Sequence, residues 1–431
     1  MTGAIRSNQK WLLFGYISLL IAMLYIRDVE DYTIPKMAFV GVVMLASVVA
    51  QYRTLLSIIL FTLPLLSGLP GNYLLPVWTL LILFHQISRH TINLRALLFT
   101  FLFIFWEFAI YAFYPFDVEY MDTIAYFSSL LILSLLVAEE GKVDYRTPII
   151  LFCLGCCVLL AIIFTIYMSD PSLMITDGGT RMGGDAYVDD GKMALRTNAN
   201  TIGYISVSAI SCLLALFYYK KIKLLPFIAL VFVAFICGLY SISRTWAILT
   251  AVTFILYFYF QKKDRKIGYI ILAIFIGIII LLFTKNEAIL SVFIERFTAD
   301  DIATGGDRTT IFSTYNNYLF ENPVNLIVGT SAQLYRQVTD ISTSTHNSLQ
   351  QIWLSYGVIG FFIFLFAYLK LVNRNYVRKE FIACLPMLVI VLFLQTIQLL
   401  NPYNGMYPLI AAFFVMRMIK NDDETGQLLK K

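Results

Sequence analysis

Long apolar runs, interrupted only by short polar turns, recur along almost the whole of this sequence and limit what it can fold into. A run of roughly 20 apolar residues is the length a helix needs to cross bilayer hydrocarbon. Hydrocarbon offers the backbone no hydrogen-bond partners, so a crossing chain must be helical or form a closed barrel. Barrel strands alternate apolar and polar residues. The runs here are continuous, for example Ile149–Ile166 and Leu224–Leu239, and predict helices. Composition agrees: 59% of the residues are hydrophobic and only 14% are charged, with a mean hydropathy of +0.76. Soluble domains carry about 25% charged residues. The fold class expected is therefore an all-α polytopic membrane protein.

Fourteen spans are predicted, near 11–27, 36–50, 54–68, 73–88, 96–114, 121–138, 147–168, 199–219, 222–240, 245–261, 267–283, 347–369, 381–400 and 406–419. The third is short, ends in Ser67-Gly68-Leu69-Pro70-Gly71, and is open to a re-entrant path, so the range is about 12–14. The first run begins at Trp11 after Arg6 and Lys10, with no small-x-small site at its end. It reads as a span rather than a cleaved signal. The six cysteines, Cys153, Cys156, Cys157, Cys212, Cys237 and Cys384, all fall in apolar runs and read as small buried hydrophobes, including the Cys153-x-x-Cys156 pair.

Lys and Arg orient the chain. With the N-terminus inside, 22 of the 32 basic residues fall on the cytoplasmic side, among them Arg53, Arg89, Lys221, Arg374, Arg417 and Lys420. Both termini are then cytoplasmic, and the short external turns are acidic or neutral. The expected organisation is N-terminal spans over 1–168, an external loop over 169–198, central spans over 199–283, a long external loop over 284–346, and C-terminal spans with a short tail over 347–431. In the long loop, Asp307-Arg308-Thr309-Thr310 leads into Ile311, Phe312, Tyr315 and Leu319, and predicts an amphipathic helix along the membrane surface, ended by Asn322-Pro323. No two-halves repeat of the kind transporters show is visible.

A few basic residues fall outside despite the bias: Arg181, Lys192 and Arg196 in the first loop, Arg244 in a short turn, and Lys285, Arg296, Arg308 and Arg336 in the second. The second loop has seven carboxylates against these four, a net charge of −3, so its arginines are no general basic surface. Guanidinium binds phosphate with two parallel hydrogen bonds and stays charged. Isolated arginines near a membrane suit a pyrophosphate group; the plainer reading is a local ion pair such as Arg308 with Asp307 or Glu321. Arg196 and Arg244 stand at the ends of spans, and Asn198 and Asn200 enter the apolar run with Arg196. Charge at such depth usually has a partner or ligand. Of the three histidines, His85 and His90 lie near the cytoplasmic face, whereas His346 is external, where the long loop re-enters the membrane beside Asn347. Histidine is the side chain best suited to take a proton near neutral pH.

Three segments together resemble the bacterial O-antigen polymerase and O-antigen ligase superfamily, which includes capsule and exopolysaccharide polymerases. They are Arg196-Thr197-Asn198-Ala199-Asn200-Thr201-Ile202-Gly203; Ser243-Arg244-Thr245 after an apolar helix; and the loop with Arg308, Glu321-Asn322-Pro323 and Gly329 that runs into His346-Asn347, with ten residues between His346 and Gly357. The likeness covers about residues 196–360; the second segment departs from it by continuing with Trp246, where a small residue is frequent. The resemblance implies a GT-C-like membrane glycosyltransferase that joins glycan repeat units on the outer face of the bacterial inner membrane. The donor would be an undecaprenyl-pyrophosphate-linked oligosaccharide, with no metal or other cofactor. A chain-length regulator and a flippase are the implied partners; nucleic acid is not. His346 would be the general base, with Arg196, Arg244, Arg308, Arg336, Asn200 and Asn347 on the pyrophosphate and glycan. Polymerase is favoured over ligase by the Ser67-to-Pro76 turn; a lipid-oligosaccharide flippase is the reading from another class.

Overall fold

A computed structural model describes residues 7–92, 94–114, 120–139, 143–170, 175–176, 179–180, 182, 195, 197–261, 277, 290–291, 294, 307–341, 344–378, 380–401, 403 and 405–424. All of the expected span 267–283 except Gly277, the side chain of Arg95, and Arg181, Lys192, Arg196, Lys285 and Arg296 lie outside what is described.

The described chain is helical. Its order is α1 (Ser7–Asp28), α2 (Lys36–Val49), α3 (Tyr52–Thr62, continued by a 3₁₀ turn over Leu63–Gly68), α4 (Gly71–Ser88), α5 (Leu94–Tyr111), α6 (Tyr120–Ala138) and α7 (Arg146–Ser169). Then come α8 (Ala199–Tyr218), α9 (Leu224–Tyr240), α10 (Arg244–Phe260), α11 (Asp307–Glu321), α12 (Pro323–Val328) and α13 (Tyr335–Thr339). The chain closes with α14 (Ser348–Asn375), α15 (Leu385–Phe393, led in by a 3₁₀ turn over Phe381–Cys384) and α16 (Tyr407–Glu424). One small departure from an all-α chain is a hairpin of two-residue strands, Ile175–Thr176 against Gly179–Thr180, in the first long loop.

Among the described residues, four helices, α1, α7, α8 and α14, are long and apolar enough to cross a membrane. Seven further apolar helices are shorter, such as Lys36–Val49 and Phe381–Phe393. Two of the apolar runs are broken locally: Pro64 turns α3 into 3₁₀ geometry, and α15 starts late behind its own 3₁₀ turn. The outer surface of the bundle is apolar, with Trp11, Phe14, Leu45, Leu80, Phe84, Phe105, Ile255, Tyr259, Phe362 and Phe366 exposed. Water penalises a belt of that kind, and it is compatible with lipid.

Packing is set by small residues. Gly155 of α7 meets α3 so closely that a β-carbon there would fall on the Phe61 carbonyl. α8 is buried on nearly every side and forms the axis on which α7, α9, α10, α15 and α16 pack. Trp246 of α10 fills a slot left by Gly203 of α8 and Gly238 of α9, and its indole N–H donates to Ser206 Oγ at 3.0 Å. The tryptophan that departs from the family pattern is thus accommodated by two neighbouring glycines. Five cysteines are buried and all six are free thiols.

The two ends of the bundle differ. At one end Arg53 pairs with Asp144 at 2.5 Å, Arg89 with Glu139 at 3.4 Å and Lys221 with Asp422 at 2.6 Å, while Arg417 and Lys420 donate to the Val137 and Arg374 carbonyls. These are residues that the charge count placed together on one side. At the other end, called here the loop end, stand Arg27, Asp28, Gly68, Leu195, Ser243 and residues 344–350.

The predicted helix in the long loop is present as α11; Tyr315 and Leu319 are buried and Ile311 is partly buried beside them. Phe312, expected on that face, is 46% exposed. Tyr335 of α13 and Leu354 of α14 meet only a narrow stripe centred on Tyr315, and Phe312 lies at its edge.

Candidate functional site

Among the helices that begin at the loop end, α8, α10, α11 and α14 have starts linked one to the next. α8 begins at the cap Asn198, whose side-chain oxygen accepts the Thr201 N–H at 2.9 Å. Asn200, in its first turn, accepts a hydrogen bond from Ser243 Oγ at 3.2 Å. Ser243 caps α10 and places Arg244 as that helix's first residue. Arg244 in turn is near enough to Arg308, in the first turn of α11, for their like charges to act on each other. One helical turn further on, Gln350 of α14 donates to the Phe312 carbonyl at 2.8 Å and to Asn316 Oδ1 at 3.1 Å. Asn347 caps α14, accepting the Leu349 and Gln350 N–H groups, both at 3.0 Å.

The electrostatics of this arrangement are unusual for purely structural arginines. A helix start carries partial positive charge and favours anions. Arg244 and Arg308 both stand at helix starts, where the dipole opposes them, and the charge of one acts on the other. Arg308 is exposed as a residue, yet its guanidinium lies against protein. Loss of hydration first, and the like charge of Arg244 second, hold it below its usual value. Two guanidinium groups whose like charges act on each other at helix starts suit an anion with several oxygens.

His346 is half-buried immediately before the Asn347 cap, with φ of +47°. A non-glycine residue in the left-handed region is uncommon and stored strain of this kind concentrates at working sites. The surrounding turn is held: Ser344 Oγ lies 3.3 Å from His346 Nε2, Thr345 Oγ donates to the Asn347 carbonyl at 3.2 Å, and the Tyr335 hydroxyl accepts the Thr345 N–H.

Of the residues singled out in the sequence, Asn200, Arg244 and Arg308 are joined by these contacts, and Asn347 and His346 stand at the start of α14, which Gln350 ties to α11. Arg336 is exposed on α13 beside Tyr315 and Tyr335 in the loop's own small core, rather than beside Arg308. Arg196 lies outside the described residues, but its neighbour Leu195 is anchored. Asp28 accepts the Leu195 N–H, and Arg27 holds Asp28 through two hydrogen bonds of 2.6 and 2.8 Å while donating to the Gly68 carbonyl at 2.6 Å.

Sequence reasoning missed Gln350, Ser331 and the part played by Gly357. α14 is broken at Gly357, whose φ of +67° and ψ of −171° are not helical. The carbonyls of Leu354 and Ser355 are met there by the N–H groups of Thr330 and Ser331 at 2.7 and 2.9 Å. A glycine separated by ten residues from a histidine was visible; that another segment of the chain would cross there was not.

No protein-family model matches the chain, and no curated protein matches it significantly. The fold and site define an all-helical protein with apolar helices suited to a membrane and a cationic cluster where several of them begin.

Proposed function

We propose that this protein is a membrane glycosyltransferase that polymerises lipid-pyrophosphate-linked glycan repeat units at the outer face of the bacterial inner membrane. The observation that carries the reading is that Arg244 and Arg308, from segments far apart in sequence, stand at two helix starts within range of each other's charge. In the reaction, an acceptor hydroxyl attacks the anomeric carbon of the donor sugar. The bond from that carbon to the phosphate oxygen breaks, and its electron pair leaves with the lipid pyrophosphate. Preorganised cations aimed at developing charge are commonly the largest catalytic term, and Arg244 and Arg308 fill that role. His346 takes the hydroxyl proton. Asn200 and Asn347, which cap or brace the helix starts, hold the frame. The resemblance to the O-antigen polymerase superfamily supplies the substrate class, with undecaprenyl pyrophosphate as the carrier.

The test uses purified protein in nanodiscs with one synthetic undecaprenyl-pyrophosphate repeat unit and EDTA, products being separated on a gel. A product ladder is expected from wild type, and none from His346→Ala. Arg244→Lys, which keeps the charge but loses the two-pronged fork, is expected to slow turnover by about 100-fold. Full ladders from a well-folded His346→Ala protein would remove the histidine from the chemistry. Product only when a separate acceptor lipid is added would identify a ligase, and carriage of the substrate across the bilayer without product would identify a flippase.

A further inference from the structure

A carboxylate inside an apolar helix is costly and calls for a physical reason. Glu107 of α5 is such a group, completely buried. Its oxygens are occupied from the long loop: Ser331 Oγ donates at 2.6 Å and the Ala332 N–H at 3.0 and 3.2 Å, with the Gln333 N–H and the Tyr111 hydroxyl completing the set. Ser331 has φ of +74°, a left-handed conformation, and its hydroxyl oxygen accepts the N–H groups of Gln333 and Leu334 at 3.1 and 3.2 Å. Successive N–H groups around a left-handed residue form a cup for an anion. Here the protein's own carboxylate fills it.

The same stretch of loop is held on both flanks. The Trp106 indole donates to the Val328 carbonyl at 2.9 Å, the Tyr114 hydroxyl donates to Asn325, and Thr330 and Ser331 satisfy the carbonyls freed at the break in α14. α13 follows directly, and its Tyr335 meets the Thr345 N–H next to His346. A continuous set of contacts thus runs from Glu107 to the turn that carries the proposed base.

We propose that Glu107 is a positioning residue: it clasps the 329–334 segment between α5 and the broken turn of α14, and so sets where His346 stands. The part concerning His346 rests on the transferase reading above; the clasp does not. Two measurements on Glu107→Gln, Ser331→Ala and the double variant keep them apart. The first is limited chymotrypsin digestion of folded protein in detergent, with cleavage sites located by mass spectrometry. Glu107→Gln turns an amide N–H₂ towards donors, and is expected to raise cleavage within 307–346 about tenfold, since proteolysis tracks local opening. The double variant is expected to be no worse than Glu107→Gln, as befits two partners in one contact. Wild-type protection in Glu107→Gln, or additive effects in the double variant, would overturn the clasp. Should Glu107→Gln fail to accumulate, Ser331→Ala decides alone, and unchanged protection there would overturn it equally. The second measurement is turnover. A fall in kcat of about tenfold or more, with the KM for donor within about threefold, is expected because Arg244 lies on a helix the clasp does not touch. An increase in KM alone would show that Glu107 does not act on His346. Digestion reads out whether or not the protein polymerises glycans, so failure of one proposal does not mimic failure of the other.

Discussion

Gly357→Ala tests the break in α14 directly. The backbone at this position has φ of +67° and ψ of −171°, a region open almost only to glycine. Forcing alanine into it costs about 1–3 kcal/mol. A β-carbon would also fall on the Ile327 carbonyl and 2.7 Å from the Val328 carbonyl carbon. Both are backbone atoms, so α12 must move away as a unit. That movement stretches the Thr330 N–H bond to Leu354 at 2.7 Å and the Ser331 N–H bond to Ser355 at 2.9 Å. Each buried carbonyl left unmet costs about 1–3 kcal/mol, so strain and one lost bond together come to roughly 2–6 kcal/mol. Unfolding entropy of about 2.1 cal/mol/K per residue gives ~0.9 kcal/mol/K over this chain, hence about 1 °C of Tm per kcal/mol. A fall of about 2–7 °C is expected by tryptophan fluorescence of the detergent-purified protein. Gly41→Ala is the control, since a β-carbon there meets nothing within 4 Å. It is expected to be neutral or to gain about 1 °C from helix propensity. A Gly357→Ala protein that melts with wild type, against an unperturbed control, would refute the broken turn and with it the seating of the loop.

The remaining predictions concern the frame. Gly155→Leu drives a side chain into the Phe61 carbonyl where α7 crosses α3; it is expected to cost about 3 kcal/mol or more and to leave little monodisperse protein by size-exclusion chromatography. Recovery of wild-type yield would show that the two helices can part. Asp28→Ala strands Arg27 as a buried, unpaired charge and is expected to cost about 3–5 kcal/mol by the same thermal assay. The double variant Arg27→Met, Asp28→Leu is expected to recover most of that loss, and equal damage from both would show that the pair matters through something other than charge.

The helices and the charge asymmetry of the two bundle ends were legible in the sequence, because each depends on short stretches of chain. An apolar run of bilayer length is helical wherever it sits, and Lys and Arg cluster in turns without reference to distant residues. The helix over Asp307–Glu321 was legible for the same reason, though the exposure of Phe312 was not, because a helix's own periodicity does not say how wide a stripe its neighbours will cover.

Tertiary structure alone decided the relations that make a site. Arg244 and Arg308 are unremarkable as single arginines; what distinguishes them is that the fold brings them within range of each other's charge. Glu107 reads as an isolated charge in a span until Ser331 and Ala332 arrive from over two hundred residues away to satisfy it. Gly357 reads as one more glycine until the Thr330 and Ser331 N–H groups fill the carbonyls its conformation exposes. Local pattern reports the free energy of a segment with its solvent, and so determines helices. Pairwise contacts between distant segments leave no period in the chain, and only the packed bundle brings those partners within hydrogen-bonding reach.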